Sequence, residues 1–159
     1  MAMEELSSVL WRERELLEIL LFKLETEQLL LSAGRTRWLP HAAREVESVL
    51  ERIRETEVLR AVVADAAAES LGLETNPSLR ALAEAAEEPW RSILLDHRDA
   101  FAAVAAQVSE LADTNRELLT AGYRAAQATL LSMSDSAATY AADGSTVSER
   151  RNHLLDRSM

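Results

Sequence analysis

The stretch MEELSSVLWRERELLEILLFKLETEQLLL, residues 3–31, decides the fold. An apolar residue recurs at every seventh position, Met3, Leu10, Leu17, Leu24 and Leu31, and Leu6, Val9, Leu16, Leu20, Leu21 and Leu30 widen that line into a stripe. Glutamate and arginine fill the opposite side, so the spacing predicts one long amphipathic helix. Ser32-Ala33-Gly34-Arg35-Thr36-Arg37 breaks the pattern, with Gly34 as the stop. Pro40 can open a second helix, because its missing N–H is no loss in a first turn. That helix is expected from about Pro40 to Leu71, burying Val46, Val49, Leu50, Ile53, Leu59, Val62, Val63 and Ala66. Two long helices on a short connection read as an antiparallel hairpin.

Gly72 ends the second helix, and Asn76-Pro77 reads as a cap with a first-turn proline opening a short helix through SLRALAEAA. After Glu88-Pro89-Trp90 a third long helix is expected to about Ser134, on a stripe of Leu94, Phe101, Val104, Val108, Leu111, Leu118 and Ala125, with Gly122 as a point where it can kink. From Asp135 the periodicity fades into small and polar residues. The expected organisation is therefore all-α: a hairpin plus a third long helix, coiled-coil-like, over residues 1–134, and a flexible polar tail over residues 135–159.

Composition fits this reading and narrows the function. Aromatic residues make up 4% of the chain, too few for a typical sheet protein. Against 17 Lys and Arg stand 27 Asp and Glu, a net charge of −10 that repels phosphate backbones and anionic headgroups. Nucleic acid and membrane surfaces are thus poor partners. There is no cysteine, hence no disulfide, thiolate metal site or cysteine nucleophile. The charged start does not read as a signal peptide, and no run reaches the roughly 20 apolar residues that span a bilayer. A cytoplasmic location is expected.

Residues able to carry catalysis or a cofactor do not assemble. Inward metal ligation in a helical bundle uses Glu-x-x-His, whereas His41, His97 and His153 are preceded at that spacing by Trp38, Leu94 and Arg150. No metal, cofactor or enzymatic activity is expected. His97, beside the stripe of the third helix, reads as a packing residue before a ligand or pH sensor. Trp11, Trp38 and Trp90 read as staples between elements. Asn115 occupies a core-like position, where it either fixes helix register or meets a partner.

One segment stands out in a chain that is 28% charged: from Leu118 to Ala142 the only charges are Arg124 and Asp135. Leu118, Leu119, Tyr123, Ala126, Leu130 and Met133 form a second apolar line there at three- and four-residue spacing. A helix apolar on more than one side is either wholly buried or covered by a partner, and such a surface suits an amphipathic helix from another protein. The methionine adds adaptability to that surface.

Asn115-Arg116-Glu117-Leu118-Leu119, then Gln127 and Leu130, and later the run from Thr139-Tyr140-Ala141-Ala142-Asp143-Gly144 to Ser148, resemble the C-terminal third of FlgN-type flagellar export chaperones. The resemblance implies a cytoplasmic chaperone of the flagellar type III export system. Its partners would be the C-terminal helices of hook–filament junction proteins and a component of the export gate. Client binding maps onto Asn115, Leu118, Leu119, Tyr123, Ala126, Gln127, Leu130 and Met133, and the gate contact onto Tyr140, Asp143 and Gly144. Ala141 departs from the glycine usual after that tyrosine. Two other readings remain: a coiled-coil protein that self-associates through its heptads, and a helical bundle that holds a small ligand or metal.

Overall fold

The computed structural model describes residues 1–142, with side chains to residue 139. Four α-helices follow one another: α1 (Ala2–Ser32), α2 (Leu39–Ser70), α3 (Leu79–Ala85) and α4 (Trp90–Ala142), with a 3-10 turn at Thr36–Trp38 between the first two. No strand occurs among the described residues, and the protein is all-α. The chain divides into a compact unit, Met1–Arg116, and a second unit from Glu117 onward.

The hairpin exists because both long helices stop in the same way. At the end of α1, Gly34 takes φ 68°. Its N–H bonds to the Leu31 carbonyl at 3.2 Å, and the Arg35 N–H reaches Leu30 at 2.9 Å. Gly72 repeats the arrangement after α2 at φ 70°, with bonds to Glu69 at 3.1 Å and from Leu73 to Ala68 at 2.8 Å. This is the Schellman termination, which needs a left-handed residue and therefore favours glycine. Pro40 falls in the first turn of α2, as expected.

Within the first unit, two clusters show the direction of each helix. Met3, Leu6 and Leu10 pack with Ala64, Ala67 and Ala68, whereas Leu16, Leu20 and Leu24 pack with Val49 and Ile53. The start of α1 thus meets the end of α2, and the hairpin is antiparallel. α4 runs parallel to α1, with His97 near Ser7 and Arg14, and Asn115 near Leu24 and Glu27. Leu6, Leu10, Leu82 and Leu94 are completely buried, each worth about 1.5–3 kcal/mol of transfer free energy. α3 contributes Leu82 and Ala83 to that cluster.

Three expectations are corrected. On α2, Leu59, Val62 and Ala66 are exposed, and the buried line runs instead through Ala42, Val49, Ile53, Thr56, Ala64, Ala67 and Ala68. Alanines let α2 approach its neighbours closely, and this packing prevails over the larger side chains beside them. The short helix is capped by Ser78, whose hydroxyl accepts from the Ala81 N–H at 3.0 Å. Asn76 instead sits at φ 57° and donates its backbone N–H to Asp65 at 2.6 Å. Finally, α4 does not end near Ser134 but continues to Ala142. Ala137, Ala138, Ala141 and Ala142 favour a helix without any apolar periodicity to announce it. Residues 143–159 of the expected tail lie outside the described residues.

Candidate functional site

Beyond the first unit, α4 carries the charge-poor segment as exposed helix. Leu118 is half-buried, and every residue from Leu119 to Thr139 is exposed. Leu119 is 48% accessible, while Tyr123, Leu130 and Met133 are all near 65%. With Ala126 they recur at alternating spacings of four and three, which places them on one line of the helix. Gln127 Nε2 donates to the Tyr123 hydroxyl at 3.1 Å, one turn away, and ties the polar edge of this line to its aromatic member. The Thr129 and Thr139 hydroxyls are turned back onto the Ala125 and Asp135 carbonyls, each at 3.0 Å. The charges on this exposed stretch are Arg124 and Asp135 alone. Leu131, 66% accessible, adds a large apolar side chain about 100° around the helix from Leu130. Sequence reasoning passed over it because it falls off the three-and-four line, although it shares the same charge-free stretch.

Asn115 belongs elsewhere. It is 2% exposed, and its Nδ2 donates to the Leu24 carbonyl at 2.9 Å and to Glu27 Oε1 at 3.2 Å. Its Oδ1 is buried without a partner among the described residues. The side chain is thus engaged by α1, which fixes how α4 lies along it and leaves no surface for a partner. Of the expected gate residues, Tyr140 lies on α4 beyond the described side chains, and Asp143 and Gly144 lie outside the described residues.

The buried titratable groups of the first unit, Glu13 and His97, have structural partners. Glu13, 4% exposed, receives Arg60 Nη1 at 3.2 and 3.0 Å. Burial pushes its carboxyl above the ordinary value, Arg60 opposes that, and Glu57 adds to it. His97, 1% exposed, lies edge-on to Trp11 with ring centres 5.0 Å apart. A guanidinium can only donate, so Arg14 makes Nδ1 an acceptor at 3.2 Å, and Nε2–H donates to Ser7 Oγ at 3.3 Å. Burial first, and then the Arg14 charge, hold His97 below its ordinary value against the pull of Asp96. It is a neutral packing group. Trp11 stands in the body of α1 rather than at a helix junction, with Arg14 stacked 4.1 Å from its ring. The pairing of Glu13 with Arg60 and of His97 with Ser7, Trp11 and Arg14 was not legible beforehand, because each joins residues on different helices.

No group of three or more potential metal-ligating side chains is assembled among the described residues. Nor is any helix in them long and apolar enough to cross a membrane.

The arrangement defines a class: an all-α protein whose first unit packs α1, α2, α3 and the first part of α4, and whose second unit is an exposed, charge-poor helix. The family model described as FlgN protein matches residues 1–148, and the chain belongs to the FlgN family, a family of flagellar chaperones. No curated protein and no solved structure matches it.

Proposed function

We propose that this protein is a cytoplasmic, non-enzymatic chaperone of the flagellar type III export system. It binds the helical C-terminal segments of hook–filament junction proteins on α4 and delivers them to the export gate. The carrying observation is the exposed line of Leu119, Tyr123, Ala126, Leu130 and Met133 in a stretch with only two charges. Leu118 and Gln127 flank it, and Asn115 sets the register of the helix that bears it. A client helix of similar pattern would otherwise coil with its own kind before assembly. Covering it with this line shields both surfaces, while the acidic remainder keeps the complex soluble. An interface limited to one helix releases readily, as hand-over to a gate requires. Tyr140, Asp143 and Gly144, just past the line, are proposed as the gate contact.

Hydrogen exchange locates the site. Adding a C-terminal segment of a junction protein should slow exchange in residues 118–139 far more than in α1 or α2. Slowing confined to the first unit would place the client elsewhere.

A further inference from the structure

A second surface lies wholly within the first unit and is independent of the client helix. Arg60 of α2, Ser78, Leu79 and Arg80 at the start of α3, and Arg98 and Phe101 of α4 line a cleft of about 350 Å³. Three arginines lining one cleft together with Phe101 are unexpected in a chain of net charge −10.

The three arginines differ in what already holds them. Arg60 is committed, since it binds the buried Glu13 and its guanidinium carbon lies 5.1 Å from the centre of the Phe101 ring. It forms a wall. Arg80 pairs with Glu84 at 3.0 Å, but both side chains are 67% exposed, and such a pair exchanges easily for a better one. Arg98 is exposed and has no ion pair among the described residues. The cleft therefore offers two available guanidinium groups over an apolar floor of Phe101 and Leu79.

We propose that this cleft is a docking site for an acidic segment of a partner protein. Carboxylates would lie across Arg80 and Arg98, whose planar forks match carboxylate geometry, and an apolar side chain of the same segment would rest on Phe101 and Leu79. The apolar floor favours a peptide over a free phosphate, which has no use for it. Ser78 Oγ accepts from the Ala81 N–H at 3.0 Å and so caps α3; the apolar floor, not the cap, separates a peptide from a free anion. Nucleic acid would bring its phosphate backbone against the acidic remainder of the chain. At physiological ionic strength the Debye length of about 8 Å confines that repulsion to what lies beyond the cleft, so a short peptide held by Arg80 and Arg98 escapes it, whereas an extended phosphate backbone does not.

The test is fluorescence anisotropy of a fluorescein-labelled peptide alternating glutamate with leucine and phenylalanine, titrated with the full chain. Arg80→Glu with Arg98→Glu reverses both available charges at exposed positions, and thermal melting checks that the fold survives. Arg98→Gln serves as a milder second variant. Saturable binding is expected for the intact protein, weakened about tenfold or more by the double variant and less by Arg98→Gln, with no binding of the counterpart peptide carrying lysine for glutamate. Equal binding by the intact protein and both variants would overturn the proposal. So would absence of peptide binding alongside saturable binding of inorganic tripolyphosphate, which would make the cleft a phosphate site.

Discussion

Replacing Leu119 and Leu130 together by aspartate is expected to weaken client binding by about a hundredfold or more while leaving the fold intact. The two side chains lie two-thirds to one-half exposed on the same line of α4, so in the free protein aspartate meets water and strands nothing. In the complex each position would face the apolar side of a client helix. There a carboxylate loses its hydration without gaining a partner, and truncating a central contact alone costs about 2 kcal/mol or more. Two such losses exceed the roughly 1.4 kcal/mol per tenfold that a hundredfold change requires twice over. Calorimetry on the variant measures the loss, and circular dichroism shows whether the helices persist. A variant that binds like the parent would remove α4 as the client surface.

The largest effect on stability is expected from Arg60→Ala. Glu13 is buried between α1 and α2, and Arg60 is the cation that both its oxygens contact, at 3.2 and 3.0 Å. Removing that partner strands a buried charge, a change that costs about 3–5 kcal/mol in well-enclosed sites; with Arg60 one-third exposed, about 3 kcal/mol is expected. The loss of its stacking on Phe101 adds to this. The dependence on pH follows from the direction of the Glu13 shift. Its folded value lies above the ordinary 4.5, so the folded state holds the proton more firmly than the unfolded chain does. This group favours folding most below pH 4.5 and gives that contribution up as pH rises through the folded value. Without Arg60 the folded value rises further and the window widens upward. Urea unfolding should therefore show the deficit of Arg60→Ala at its greatest near pH 7 and smaller toward pH 5. Adding Glu13→Leu should recover most of it, and a deficit that is flat with pH would mean that lost packing, not a stranded carboxylate, is responsible.

Some of this architecture was legible in the sequence because large apolar residues carried it. α1 announces itself through leucines separated by charges, and none of its stripe residues from Met3 to Leu31 is exposed. α2 was harder. Its buried line depends on Ala42, Ala64, Ala67 and Ala68, and alanine is common on both faces of any helix, so by size alone Leu59 and Val62 read as inside although they are exposed. Its exposed Val58, Leu59 and Val62 show that side-chain size is a poor guide when close helix approach decides the packing. Pairings such as Glu13 with Arg60, and His97 with Arg14 and Ser7, depend on which helices meet, which no spacing along the chain reveals.

The candidate site was legible through an absence. Charge disappears from α4 after Glu117, save for Arg124 and Asp135, and that loss marks the segment more clearly than any single side chain does. Periodicity picked out the line through Leu119 and Met133 but left Leu131 aside. Asn115 had two readings from its heptad position, and only the carbonyl of Leu24 decides between them. The end of α4 was hidden because an alanine-rich helix and a polar tail use similar residues.

The most direct test of the central claim is isothermal titration calorimetry of the intact protein with the C-terminal helical segment of a hook–filament junction protein from the same organism. The chaperone reading predicts saturable binding at one segment per chain, with a negative heat-capacity change from the apolar surface that α4 buries. No heat and no complex at any workable concentration would contradict it, and would leave the exposed line of α4 to a second copy of this chain.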